Sequence, residues 1–426
     1  MSAQAIRTAV VGATVVATLG AAALTAPTAG ATDGADGASR DTGHAATQAA
    51  MDAQVADGVP GVVGQARDKH GVWNGNAGVA DLTTGKPRGK NDRFRAGSIN
   101  KTFTATVLLQ LQAEGKIDLD TSVDTYLPGL VRGNGHDGRK ITVRQLLNHT
   151  SGIFSYTADS TFQQKYATKK FLAHRYDTLS PQQAVALAMR HLPDFPAGTD
   201  WNYSNTNYML AGLIIEKVTG KPYAAEVQRR IVQPLKLRST TFPGTNPNVP
   251  APSGRAYGKF QGDPQGKVYD VTRLNPSWGW AAGEIISNSA DLNRFYAALL
   301  RGKLLPRAEL AEMKTTVSTG AGSPLRYGLG LAQLRLSCDK AVWGHDGGIH
   351  GSASFAFASE DANHAIAFNL NSDWVGDGVA VVEAEFCGPT DTTPDKGHDK
   401  AHPKGDDQAR RTDVTSPISA SVSAAG

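Results

Sequence analysis

Cysteine is nearly absent: the 426 residues include only Cys338 and Cys387. They stand too far apart for the C-x2–4-C pair of a zinc finger, and no zinc-finger signature occurs. Concentrated positive charge is missing too. Lysine and arginine number 43 against 39 acidic residues, a formal net charge of +4, and they form no dense block. With no RNA-binding signature either, nucleic acid is not an expected partner. There is no internal repeat. No G-x-S-x-G elbow occurs, which argues against an α/β-hydrolase. His345 and His350 lie close together, but no carboxylate or third histidine stands at ligand spacing. No metal and no cofactor are therefore expected.

The two ends do not read as core. Residues 1–31 carry Arg7, an Ala/Val/Leu/Thr stretch from Thr8 to about Ala26, and Ala29-Gly30-Ala31. That is the pattern of a signal peptide with an A-x-A cleavage site. The run is long enough to span a bilayer, but it is rich in Ala and Thr and broken by Gly. A stable membrane anchor is thus not expected, and the protein reads as secreted. Residues 32–44 are small and polar, a disordered leader. After Cys387 hydrophobicity drops, and residues 389–426 contain no aromatic side chain. Such a tail cannot bury enough apolar surface to offset its ordering entropy, so disorder is expected. In an exported chain Cys338 and Cys387 are expected to pair, and closing that loop stabilises by roughly 4 kcal/mol in the entropy model.

The chain is 40% hydrophobic and 19% charged, enough apolar material for one large core or two lobes. Periodicity predicts a helix over 45–57 and two strands over 61–68 and 71–82. The strongest helix begins at Ser98, a good N-cap residue, with Phe103, Val107, Leu108 and Leu111 at helical spacing and Gly115 as its stop. Helices are predicted over 141–152, 180–192, 206–220, 290–302 and 376–387, and strands over 327–336, 340–347, 351–360 and 364–372. Strands at both ends, linked at hairpin length, must meet in one antiparallel sheet. The middle then forms a separate helical lobe, with a site expected in the cleft between.

Ser98 and Lys101, three residues apart at a helix start, point to the same face. Desolvation and the helix dipole both lower the pKa of a lysine there, and a neutral amine can take a hydroxyl proton. Alone the pattern is weak, and the pair reads more readily as an N-cap serine with an exposed lysine. Tyr203-Ser204-Asn205 lies on a loop before a helix. A tyrosine there can shuttle protons, and the asparagine can orient the lysine and a substrate amide. Alone, it reads as an aromatic staple with a cap. His345-Asp346-Gly347-Gly348 ends a strand. The histidine can support the tyrosine, the glycines admit a substrate backbone, and the Gly348 N–H suits an oxyanion. Alone, this is a polar turn.

In this order S-x-x-K, a Y-S-N form of S-D-N and an H-x-G form of K-T-G make the β-lactamase and penicillin-binding-protein signature. The chain resembles the class C β-lactamase and serine D-alanyl-D-alanine carboxypeptidase family, most nearly its secreted Streptomyces carboxypeptidase type. The likeness covers roughly residues 45–388. It is carried by DRFRAGSINKTFTATVLLQLQAEGKIDLD, ITVRQLLNHTSG, NYSNTNYMLAGLIIEKVTG, SW and AGEIIS within SWGWAAGEIIS, YGLGL and GHDGGIHG. The resemblance implies an α+β fold of the β-lactamase/transpeptidase type, with an antiparallel sheet, flanking helices and an all-helical lobe. It implies Ser98 as nucleophile, Lys101 as its activator, Tyr203 for proton transfer, Asn205 as orienter, His345 as the H-x-G histidine and Trp278 in the cleft wall. Gly347 and Gly348 would line the substrate strand.

Two departures bear on specificity. Carboxypeptidases of this type carry an arginine just after the GLGL strand start, where Ala332 stands here. Arg335 lies three positions on, and strand alternation turns it away. A threonine after H-T-G is replaced by Gly348, where a side chain is expected to risk a clash with the approaching substrate. Groups that read a free carboxylate are thus missing. The expected function is a monomeric serine acyl-transfer enzyme on D-Ala-D-Ala peptides, with β-lactams as covalent ligands. An esterase or D-amino-acid amidase comes second, a β-lactamase third, and a non-catalytic penicillin-binding sensor is the alternative outside enzymes.

Overall fold

The computed structural model describes residues 43–261, 263 and 266–388. The expected signal peptide, leader residues 32–42 and the tail 389–426 lie outside the described residues. The leader's last two residues, Gly43 and His44, lie inside them, and His44 is buried against Glu385.

One sheet organises the molecule. Strands β1 (Gly61–Asp68), β2 (Gly71–Gly78), β3 (Val317–Ser318), β4 (Leu325–Tyr327), β5 (Ala332–Arg335), β6 (Ala341–Ile349), β7 (Ser352–Ser359) and β8 (Ala365–Leu370) lie in the order β2-β1-β8-β7-β6-β5-β4-β3. Every pair is antiparallel. The two ends of the chain meet at β1 and β8, where Val62 faces Leu370 and Arg67 faces Ala365.

Alternation of large and small side chains decides how the sheet is covered. Phe355, Phe357, Ile366 and Phe368 project to one face, packed with Met51 of helix α1 (Ala45–Ala56) and with Val381, Val382 and Phe386 of the last helix, Gly378–Cys387. The residues between them, Ala356, Ala358, Ala365 and Ala367, belong to the core of the other face. There they meet Leu292 and Phe295 of the helix Ser289–Leu300, and small side chains allow it close approach.

That second core does not stop at the sheet. It runs through helix α2 (Asn100–Ala113) into α3 (Asn205–Thr219) and the short helices of the middle region. The helical lobe expected from sequence is therefore present but shares its core with the sheet. Eleven of the fourteen residues of α2 are buried, as befits a helix surrounded on all sides. Capping follows the sequence elsewhere. Thr142 with Gln145 and Ser180 with Gln183 form capping boxes, and Gly220 closes α3 in the left-handed region.

Two expectations need correction. Residues 327–336 are not one strand. Gly330, at φ +67°, reverses the chain so that β4 and β5 pair as a hairpin with Tyr327 opposite Ala332. Alternation alone does not reveal that reversal. Ser98 also does not cap a helix. It lies inside a 3₁₀ turn, Gly97–Ile99, and makes no side-chain capping bond.

Cys338 and Cys387 are joined, tying the turn between β5 and β6 to the end of the last helix. A second tie is polar. The buried Glu385 carboxylate accepts from Thr47 Oγ1 at 2.6 Å, from His44 Nδ1 at 3.0 Å and from His364 Nε2 at 2.6 Å. Glu385→Ala strips three donors of their acceptor at once. It should destabilise the protein by about 3 kcal/mol in urea unfolding, and a loss under about 0.5 kcal/mol would contradict this.

Candidate active site

The site forms where β6 runs past the 3₁₀ turn that carries Ser98. The two backbones touch with no side chain between them. A Cβ on Gly347 would stand 2.0 Å from the Ala96 carbonyl oxygen and 2.7 Å from the Ser98 nitrogen. Gly97, at φ +54°, would put its Cβ 2.8 Å from the Gly348 oxygen. Only glycine fits either position. The backbone N–H groups of Ser98 and Gly348 flank this junction, a pairing that suits an oxyanion.

Lys101 sits in the first turn of α2 with no exposed surface. Its Nζ lies 2.9 Å from Ser98 Oγ, 2.8 Å from Asn205 Oδ1 and 2.8 Å from the Ala282 carbonyl oxygen. Burial holds its pKa well below that of free lysine, against the opposing charge of Asp346. The contacts fit a neutral amine. The three oxygens would also accept from an ammonium; with the amine neutral, two N–H groups serve Asn205 Oδ1 and Ala282 O, and the lone pair is left for the Ser98 hydroxyl. The Asn205 amide is fixed the right way round by its Nδ2, which donates to Thr157 Oγ1 at 3.2 Å.

Tyr203 is buried with its ring 4.8 Å from Lys101 Nζ. Its hydroxyl is near enough to Ser98 for that group to lower its pKa, yet no well-aligned hydrogen bond joins them. Burial dominates and pushes the phenol well above its ordinary value, so Tyr203 keeps its proton at neutral pH. Behind Tyr203 lies His149, a residue that sequence reading did not single out. The two rings are 4.3 Å apart. His149 Nδ1 faces two donors, the Ser204 N–H and Asn207 Nδ2, both at 3.2 Å, which assigns its proton to Nε2. Its quoted stretch, NHTSG, looked like a helix ending in a turn. The signal was His149 itself, held at φ +64°.

His345 is fully buried and is brought to the site, but not onto Tyr203. Its Nε2 meets the Tyr327 hydroxyl at 2.8 Å, and its Nδ1 contacts the Asp346 carbonyl. That arrangement puts the ring proton on Nδ1 and makes Tyr327 the donor. Burial, the largest cause, pushes His345 down to about 3, so the ring is neutral. The expected support from His345 to Tyr203 is thus indirect. Tyr327 intervenes because the β4–β5 hairpin folds it back over β6, and sequence gave no hint of that reversal.

Trp278 lies in a wall rather than in the polar cluster. It packs within 5.7–6.0 Å of Phe162, Tyr166 and His350, and its carbonyl accepts from the Tyr156 hydroxyl. Gly348 is exposed, and a Cβ there would meet nothing within 4 Å. Within the protein itself, a side chain at 348 therefore meets no obstacle. Ala332 is the confined position, fully buried in the cluster that holds Tyr203 and Tyr327. Arg335 faces outward, as alternation requires, and pairs with Asp339 at 3.0 Å. The middle residue of the K-T-G-like triplet is Asp346, whose charge acts on Lys101, Tyr203 and Tyr327.

This arrangement has the parts for acyl transfer: a hydroxyl beside a lysine amine whose pKa burial lowers, a protonated phenol and two backbone donors. Comparison with known proteins agrees. The Beta-lactamase family model matches residues 46–380. Among solved structures, a D-stereospecific amidohydrolase from Streptomyces sp. is 59% identical with a TM-score of 0.78, covering 82% of this chain and 99% of that one. The D-amino acid amidase of Ochrobactrum anthropi SV3 is 29% identical with a TM-score of 0.69, covering 80% and 98%. Penicillin-binding protein 4* of Bacillus subtilis is 26% identical over 313 residues, 71% of this chain, and the match spans 66% of that protein's length. The chain belongs to the β-lactamase family of serine hydrolases.

Proposed function

We propose that the protein is an exported D-stereospecific amidohydrolase working through an acyl-enzyme on Ser98. The reading rests above all on the three residues Ala332, Asp346 and Gly348. Ala332 and Gly348 put a buried methyl group and a bare backbone where a carboxypeptidase of this family would read a free carboxylate, and Asp346 adds an acidic side chain beside them. An uncharged amide or ester terminus suits that surface, and the Asp346 charge opposes an anionic one. The likeness to an amidohydrolase and an amidase supports the same choice, which puts the amidase reading ahead of the carboxypeptidase reading favoured by sequence. Export is supported by the signal-like N-terminus and the Cys338–Cys387 disulfide. Among the described residues no helix is long and apolar enough to cross a membrane.

The chemistry follows from the geometry. Ser98 Oγ attacks the substrate carbonyl carbon as its proton passes to the Lys101 amine. The carbonyl oxygen takes up negative charge between the Ser98 and Gly348 N–H groups. When the C–N bond breaks, Tyr203 delivers its proton to the leaving nitrogen and regains one from the Lys101 ammonium. Ammonia or an amine departs. Water then hydrolyses the Ser98 ester, releasing the acid and restoring the serine hydroxyl.

Ser98→Ala should abolish amide and ester turnover and covalent labelling by penicillin, while circular dichroism stays unchanged. Undiminished turnover would refute the assignment. Wild type should hydrolyse a D-amino acid amide with a kcat/KM far above that for its L enantiomer. It should also cleave a D-alanyl peptide amide at least as fast as the free acid, and a hundredfold preference for the acid would reverse the specificity reading. Because position 348 is open, Gly348→Thr should fold normally. Its hydroxyl should shift the acid-to-amide ratio of kcat/KM toward the acid by about tenfold. Ala332→Arg is the poorer test, since the buried site must first make room.

A further inference from the structure

We propose that a small cavity beside Arg95 binds a monovalent anion of halide size. The cavity measures about 20 Å³, room for a single small guest. Four arginines are among its lining residues: Arg88, Arg93, Arg95 and Arg255. Two of them have carboxylate partners. Arg88 pairs with Asp92 at 3.3 Å, and Arg255 with Asp81 at 3.1 Å and Asp270 at 2.6 Å.

The other two do not. Arg93 bonds only the Ala251 and Arg238 carbonyl oxygens, and its Nε has no partner. Arg95, 2% exposed, gives Nη2 to the Pro247 carbonyl at 2.7 Å and the Leu274 carbonyl at 3.0 Å. Its Nε and Nη1 are buried with no acceptor. The charge that acts on Arg95 is Glu284, already committed to the Tyr223 hydroxyl and the Gly244 N–H, and burial pushes that carboxyl up toward its neutral form. A guanidinium keeps its charge even when buried. A buried cation with two idle donors and an adjoining cavity calls for a counter-ion, because a buried unpaired charge costs several kcal/mol.

Water is the competing guest. It would accept from Arg95 and donate to Asn371 Oδ1, which also lacks a partner at the cavity wall. Water adds no opposing charge to that of Glu284, and a halide does. The position has a structural consequence. Arg95 stands three residues before Ser98, and its carbonyl accepts from Ser352 at 2.7 Å and Ser354 at 3.3 Å. An anion here would brace the segment that presents the serine, whatever substrate the site takes.

The test uses the whole protein and bromide. Crystals soaked in sodium bromide should show an anomalous peak within hydrogen-bond distance of Arg95 Nε or Nη1. In solution, chloride and bromide should raise Tm saturably over sodium gluconate at constant ionic strength. That gain should vanish in Arg95→Gln. Should that variant fail to fold, Val249→Met, which fills the cavity from its apolar wall, should lose the halide response instead. The absence of a bromide peak, or a Tm as high in gluconate as in halide, would overturn the proposal and leave water as the guest.

Discussion

Lys101 lies buried at the start of α2, within 2.9 Å of three oxygens, and the rest of the site follows from keeping its amine out of water. An ammonium ion there would pay a large desolvation cost, so burial favours the neutral form. That requirement explains why α2 is enclosed almost all round and why the sheet core and the helical lobe are one body of packed side chains. It also explains the two fixed acceptors. Asn205 Oδ1 and Ala282 O take both N–H groups of a neutral amine and leave its lone pair on Ser98.

The same dryness sets the state of every other titratable group nearby. Tyr203 and Tyr327 hold their protons, and His345 and His149 are favoured as neutral rings, each with one N–H. In the proposed reaction Lys101 is the base and Tyr203 the acid, both close to the Ser98 hydroxyl. Asp346 partly opposes the effect of burial on Lys101, since its charge favours the ammonium. It acts as a field at the site rather than as a partner in proton transfer.

Much of this was legible in sequence, for definite reasons. Ser98, Lys101, Tyr203, Asn205 and His345 sit in short motifs whose spacing encodes their meeting. Sheet strands showed in their alternation, and caps such as Thr142 and Ser180 marked their helices. What escaped notice depends on long-range placement. Tyr327 reaches His345 only because Gly330 reverses a run that alternation reads as one strand. His149 reaches Tyr203 through a loop contact across more than fifty residues. His44 looked like leader because its partner, Glu385, is 341 positions away. Gly348 and Ala332 were recognised as departures, but which of them is open and which confined is a matter of packing, and sequence cannot show it.

The central claim is that Lys101 is a neutral amine in the resting protein. NMR of protein labelled with 13C at lysine Cε tests it directly, with the Lys101 signal assigned by its loss in Lys101→Gln. The account predicts a neutral-amine shift at pH 7 and a titration well below the ordinary lysine value near 10.4. A Lys101 signal that stays in its ammonium form up to pH 10 would contradict it.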